Sequence, residues 1–308
     1  MDGVLNLNKP QGPTSFRAVS KIRRISGVSR AGHGGTLDPF ACGVLPVLLG
    51  KATRTAEYFL DWSKTYRAQI MLGAETDTLD NTGAVIATAE TSKITSKEVE
   101  KVIPQFIGDV LQKPPIYSAI KQEGRRLYQM AREGLAPEPA SRTVSIYEIK
   151  IISFQLPYLT IEVTCGRGTY IRSLARDLGL ALESRAHLSK LERTAYGPLS
   201  IKDAVSLDDI NEERGKETIQ ESLLPLDTGL SHLSKVELTP GETLLVGRGS
   251  SIYRQNMPGV KDAWRAYDEN GNLAALLIPG QTPHWYRPRK VFIGARNLDI
   301  QASNSYIS

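Results

Sequence analysis

Gly32-His33-Gly34-Gly35-Thr36-Leu37-Asp38-Pro39-Phe40-Ala41-Cys42-Gly43 is the stretch on which the reading of this chain turns. Its glycines permit close backbone approach and positive φ, and Pro39 disfavours helical φ/ψ at Asp38. The segment therefore has the character of a loop shaped to present one carboxylate. It is not a nucleotide loop. Gly50-Lys51 is followed by Ala52 rather than Ser or Thr, position 45 is Leu rather than Gly, and the spacing of Gly32, Gly34 and Gly35 misses the dinucleotide fingerprint. No nucleotide cofactor is expected. On these residues alone a second reading stays open, because an Asp before Pro is common in turns, where the carboxylate bonds its own backbone.

Upstream, Leu5-Asn6-Leu7 predicts a short strand halted by Lys9-Pro10-Gln11-Gly12-Pro13, after which Thr14 or Ser15 caps a helix. That helix places Phe16, Val19, Ile22 and Ile25 on one face and Arg17, Lys21 and Arg24 on the other. Downstream, Val44 to Leu49 is a short apolar run bounded by Gly43 and Gly50, which predicts a buried strand despite Pro46. Tyr66, Ala68, Ile70 and Leu72 alternate with Arg67, Gln69 and Met71, the period of a strand with one buried face. Thr95-Ser96-Lys97-Glu98 resembles a capping box ahead of Val99, Val102, Ile103 and Phe106. Lys121 to Tyr128 reads as a basic, aromatic-bearing loop, then a short helix ending at Gly134.

Further strands are expected from Thr143 to Ile152 and from Leu159 to Cys165, the second turned directly into a helix by Gly166-Arg167-Gly168-Thr169. Residues 200–227 read as acidic and helical, and Asp227 to Ser231 as a linker. Beyond it, strand candidates recur at Leu244 to Gly247, Trp264 to Tyr267 and Leu273 to Ile278, with Asn270-Gly271 as a hairpin signal.

At 308 residues the chain exceeds the size at which single cores usually stop growing, so two domains are the starting expectation. Its 41% hydrophobic and 23% charged residues are ordinary for a soluble protein, and no apolar run approaches the roughly 20 residues of a membrane span. Met1 to Leu5 lacks the pattern of a signal peptide and two cysteines make no disulfide framework, so a cytoplasmic protein is expected. Cys42, Cys165, His187, His232 and His284 show no metal spacing, and no metal is expected. The net charge is +5 and the pI about 9.1. Through Leu72 the chain carries ten cations against four anions, a surplus larger than that of the whole molecule. A phosphate-attracting surface is expected to involve this part, the alternative being a solvated basic face.

The Gly-His-Gly-Gly-Thr-Leu-Asp-Pro-Phe-Ala-x-Gly-Val-Leu segment resembles the signature of the TruB family of pseudouridine synthases. Asn8-Lys9-Pro10-x-Gly-Pro-Thr-Ser, Lys64-Thr65-Tyr66-Arg67, Leu72-Gly73-x-x-Thr76-Asp77-Thr78-x-Asp80, Pro114 to Lys121, Gly166 to Leu174 and Leu191-x-Arg193-Thr194 continue the resemblance in the family's order and spacing. It covers roughly positions 4 to 227. The resemblance implies an α+β fold: a mixed, largely antiparallel sheet flanked by helices, with the cleft between sheet halves. A catalytic domain over 1–230 and a small β-rich, PUA-like RNA-binding domain over 236–308 are expected. It implies isomerisation of uridine 55 in the tRNA T-loop, with Asp38 as nucleophile, Tyr66 stacking on the target base and Arg172 paired with Asp38. Tyr170 and Leu191 border the base, and a concurrent tRNA-folding role is open. No cofactor is needed, and a monomer that binds the T-stem-loop is expected.

These roles also make chemical sense. Turning uridine into pseudouridine breaks the C1′–N1 bond and rejoins C1′ to C5 of the same base, so a site needs a nucleophile and a hold on the freed uracil; a carboxylate serves as the first. A guanidinium such as that of Arg172 aims it through charge-assisted hydrogen bonds. An aromatic face such as Tyr66 is worth about 1–3 kcal/mol per stacked base, and His33 can occupy the place the flipped base leaves. Lys9, Lys121, Arg125 and Arg126 are the cations expected on phosphates. Two rival functions are a non-catalytic RNA binder and a hydrolase using Asp38 with His33; the second lacks a carboxylate placed to activate water.

Overall fold

The computed structural model describes residues 1–293 apart from 119, 123, 134, 136, 137 and 260–262. Its larger sheet follows the path Val205–Ser206, Gly3–Lys9, Cys42–Leu49, Ala186–Tyr196, Lys64–Leu72, Tyr158–Cys165, Arg142–Gln155 and Gly108–Gln112, with three short strands off it. Among the described residues of this sheet two pairings are parallel, Gly3–Lys9 with Val205–Ser206 and Cys42–Leu49 with Ala186–Tyr196. This is the mixed, largely antiparallel α+β sheet expected. The second parallel pairing is a seam: two positions pair across it, Glu192 with Cys42 and Arg193 with Gly43. On its other side Ala186–Tyr196 runs the full length of Lys64–Leu72.

The strand Cys42–Leu49 shows why an unbroken apolar run was needed. Leu45, Val47 and Leu49 pack with Ala18, Val19 and Ile22 of the helix Ser15–Ser26, while Val44 and Leu48 pack with Phe59 and Tyr196 on the opposite side. Covered on both faces, the strand has no polar side to show. The helix begins at Thr14, whose side chain accepts from the Arg17 N–H, and ends at Gly27 with φ 70°. Its buried residues are Ser15, Ala18, Val19, Ile22 and Ser26. Phe16, expected on the apolar face, is 75% exposed. The spacing 15, 18, 19, 22 is the helical stripe, and residue 16 stands about 100° off it.

A five-stranded sheet forms the tail, in the order Ser234–Glu237, Trp264–Tyr267, Leu273–Pro279, Trp285–Val291, Ile252–Tyr253. The Asn270-Gly271 hairpin joins its middle pair, with Gly271 at φ 76°. Leu244 to Gly247, expected as a strand, closes the helix Pro240–Gly247. Thr239 and Glu242 form a capping box and Pro240 occupies the first turn, so start signals outweigh the β-like Leu-Leu-Val. The acidic stretch 200–227 is mostly not helical: Gly215–Glu221 is its α-helix, and Val205–Ser206 and Leu223–Leu224 join the large sheet.

The expected linker is a packed joint. Thr228–Leu230 is a 3-10 turn with Gly229 and Leu230 buried. A Cβ at Gly229 would stand 2.1 Å from the Phe59 ring. Leu230 shares a core with Tyr58 on one side and with Leu276 and Phe292 of the tail on the other. Burying Leu230 and Phe292 stabilises this joint by about 1.5–3 kcal/mol each. Glu57 adds ion pairs to Arg289 and Lys290, at 3.6 and 2.6 Å. No helix among the described residues is long and apolar enough to cross a membrane.

Candidate active site

Beside the seam lies a cleft of about 830 Å³, within the usual range for ligand sites. Asp38, Tyr66, Arg172, His33, Tyr170 and Leu191, drawn from four separate segments, all line it. At its base Arg172 Nη2 lies 3.0 Å from Asp38 Oδ2. The guanidinium side chain is 6% exposed and the carboxylate side chain 36%, so the cation is buried and the anion faces the cleft.

Arg172 sits in the first turn of the helix Ile171–Ala181, where its burial would be costly without partners. It has four. Nη1 donates to the Thr78 carbonyl at 3.0 Å and meets Asp80 Oδ2 at 3.5 Å; Nη2 donates to the Tyr117 carbonyl at 3.0 Å and pairs with Asp38. Asp80 is itself tied down, Oδ1 accepting from the Thr78 hydroxyl at 2.8 Å and the Thr82 N–H at 3.0 Å. No local pattern in the sequence signals this part for Asp80. Further along the same helix Arg176 pairs with Asp177.

The loop carrying Asp38 is strapped from several sides. Arg193, 1% exposed, donates from Nε to the Val44 carbonyl at 2.7 Å, from Nη1 to Thr36 at 3.2 Å and from Nη2 to Gly35 at 3.1 Å. The Tyr196 hydroxyl donates to the Gly34 carbonyl at 2.9 Å. Ser15 Oγ donates to the Leu37 carbonyl at 2.8 Å and accepts from the Leu37 N–H at 2.9 Å. The Gly12 N–H donates to the Pro39 carbonyl at 2.8 Å. The glycines serve this strapping chiefly by lacking a Cβ: one on Gly35 would stand 2.6 Å from Tyr196 Oη, and one on Gly34 2.9 Å from Phe59. Positive φ is needed at Gly43, 105°.

Lys9 is placed otherwise than expected. It is fully buried, its ammonium donating to the carbonyls of Pro10 at 2.8 Å and Pro13 at 3.0 Å. A lysine spent on its own turn neither grips phosphate nor stands in solvent. Burial pulls its pKa down to about 8, against the opposing pull of Cys42 and Asp38. Lys64 is a second such lysine, donating to Leu60 and Trp62 carbonyls and also brought to about 8 by burial. Arg125 is exposed and ion-paired with Glu133. The side chains of Lys121 and Arg126 lie outside the described residues, although their backbones form a hairpin, Lys121–Gln122 with Arg125–Arg126. Gly134, expected to end the following helix, also lies outside them.

Around the mouth, Tyr170 precedes the helix Ile171–Ala181 and is held through its backbone by Gln112, whose Nε2 donates to the Tyr170 carbonyl at 3.0 Å and whose Oε1 accepts its N–H at 2.8 Å. The Arg142 guanidinium stands over the Tyr170 ring at 5.1 Å. Gln112 and Arg142 were not anticipated, since their partners lie 58 and 28 residues along the chain. Burial raises the Tyr66 phenol above its ordinary value, with Arg193 opposing, so the ring stays neutral. Burial, then Arg193, lowers His33, and its Nδ1 has no hydrogen-bond partner among the described residues. Among the described residues no three His, Cys, Asp or Glu side chains gather to hold a metal ion.

A cleft so built offers one aimed carboxylate, neutral aromatic faces and an apolar floor at Leu191. The sequence matches the N-terminal domain of TruB family pseudouridylate synthases over residues 23–171 and the C-terminal domain of tRNA pseudouridylate synthase B over 172–231. It is 41% identical over 293 residues to the tRNA pseudouridine synthase B of Dehalococcoides mccartyi, covering 95% of this chain and 97% of that one. The corresponding protein of Geobacillus thermodenitrificans is 42% identical over 303 residues, covering 95% and 100%. Among solved structures, a Cbf5-Nop10-Gar1 complex matches with TM-score 0.72 and 28% identity over 96% of this chain and 86% of that one. An H/ACA RNP bound to a substrate RNA containing 2′-deoxyuridine matches with TM-score 0.71 and 28% identity over 94% and 85%. The chain belongs to the TruB family of pseudouridylate synthases.

Proposed function

We propose that this enzyme, a tRNA pseudouridine synthase, isomerises uridine 55 in the T-loop with Asp38 as its nucleophile, acting as a cytoplasmic monomer. The observation that carries the reading is the Arg172–Asp38 pair at 3.0 Å, a buried guanidinium holding a carboxylate that faces the cleft. A carboxylate so held needs little reorganisation to attack a flipped nucleoside. Its partner's other bonds, to Thr78, Tyr117 and Asp80, fix the direction of aim.

The reaction breaks C1′–N1, turns the uracil within the cleft and forms C1′–C5; C5 gives up its proton, N1 ends with one, and nothing is oxidised. Tyr66, neutral through burial, stacks on the base, and Tyr170 and Leu191 bound it. His33 enters the gap in the RNA stack. Held neutral by burial and Arg193, it does so without adding a charge among the bases. The surplus of cations up to Leu72 and the Lys121 to Arg126 hairpin meet phosphates, and the tail acts as a PUA-like RNA contact.

The test is incubation of the protein with an unmodified tRNA transcript, followed by nucleoside mass spectrometry and chemical mapping. Pseudouridine at position 55 and no free uracil is the expected result. Product at another position would overturn the substrate assignment, and free uracil would favour hydrolysis.

A further inference from the structure

A lone exposed apolar side chain is ordinary on a protein surface, but Phe16 is set apart by where it stands. At 75% exposure it is off the buried stripe of its helix, and it lines the same cleft as Asp38. Its position is fixed. Ser15 and Leu37 exchange two hydrogen bonds, 2.8 and 2.9 Å, and Phe16 and Asp38 are the next residues along from each end of that exchange. Thr14 caps the same turn by accepting from the Arg17 N–H at 3.1 Å. Arg17 is exposed and forms no ion pair among the described residues. An aromatic face lining the cleft and, at the next position of the same helix, an unspent exposed cation outside that lining are thus presented together by one helix start.

We propose that Phe16 is a stacking contact for a nucleobase adjacent to the flipped uridine, with Arg17 on the neighbouring phosphate. This rests on the functional reading above. When a base leaves its stack, its neighbour loses one face's partner, and a pre-placed ring supplies that face without having to be ordered on binding. Stacking is indifferent to base identity, so Phe16 strengthens binding of the RNA rather than choosing its sequence. It touches no reacting atom.

The experiment compares Phe16→Ala, Phe16→Leu and Phe16→Trp with the wild type on an unmodified tRNA transcript, reading kcat/KM and, at saturating enzyme, the single-turnover rate. Because the side chain is exposed, thermal melts of all four proteins should coincide. Phe16→Ala and Phe16→Leu should each lose about tenfold in kcat/KM through KM with the single-turnover rate unchanged, and Phe16→Trp should match or exceed the wild type. A transcript with 2-aminopurine beside the target should be quenched on binding by the wild type and not by Phe16→Ala. Unchanged kcat/KM in Phe16→Ala, or full activity in Phe16→Leu, overturns the stacking role. A wild type that binds the transcript but yields no pseudouridine removes the functional reading, and this assignment with it.

Discussion

Two aspartates meet one guanidinium, and the regions that carry them are built to opposite ends. The turn around Asp80 leaves its carboxylate 5% exposed, with acceptor positions filled by Thr78, Thr82 and Arg172. The loop around Asp38 spends its hydrogen bonds on the backbone, through Arg193, Tyr196, Ser15 and Gly12, and leaves its carboxylate 36% exposed with Arg172 as its ion-pair partner. The same functional group is structural where it is saturated and available where only its support is saturated. On the proposed reading of Asp38, reactivity is a matter of which lone pairs the fold leaves open.

The largest effect that would break this contrast is in stability. Asp80→Ala empties a buried site, stranding the Thr78 hydroxyl and the Thr82 N–H together with one arm of the Arg172 guanidinium, and removing one partner of such a buried pair costs about 3–5 kcal/mol. Asp38→Ala removes a partly exposed carboxylate and should cost under about 1 kcal/mol. Denaturant midpoints of the two variants measure the difference; equal losses would show that both carboxylates are structural.

A smaller effect sharpens it through pH. The folded protein lowers the pKa of His33, by burial first and Arg193 second. As pH falls through about 6.5 the unfolded chain takes up a proton that the folded chain refuses, so the stability contributed by a neutral His33 is present above that pH and declines below it. Wild type should therefore lose more stability than His33→Gln between pH 7.5 and 5.5, read from urea midpoints at each pH. Parallel pH profiles would place His33 in water rather than in the cleft wall.

Local pattern carried much of the architecture. The alternation of Tyr66 to Leu72, the capping box at Thr95 and the Asn270-Gly271 hairpin each rest on interactions between near neighbours, and each is found in place. Sequence reasoning failed where the deciding partner is remote. Phe16 looked like core because the stripe beginning at Ser15 is set by the bond to Leu37, which no helical period reveals. Lys9 reads as a phosphate contact, since its burial follows from the end of the strand Gly3–Lys9, paired at Gly43, where its ammonium turns back onto the Pro10 and Pro13 carbonyls. The turn at Thr228–Leu230 looked like a linker because the ring filling the space beside Gly229 comes from Phe59. Within the cleft, Asp80 and Arg193 stand in the quoted motifs and Gln112 does not, but the supporting contacts of all three were illegible, their partners lying far along the chain.

The most direct test of the central claim is Asp38→Asn, which removes one charge with almost no change of shape. Arg193, Tyr196 and Ser15 should still hold the loop, so the cleft should persist while the nucleophile is lost. Single-turnover product formation and filter binding on one preparation should show no detectable pseudouridine, with tRNA affinity within about tenfold, or 1.4 kcal/mol, of the wild type. Appreciable turnover by Asp38→Asn would contradict the account and move the nucleophile to another residue.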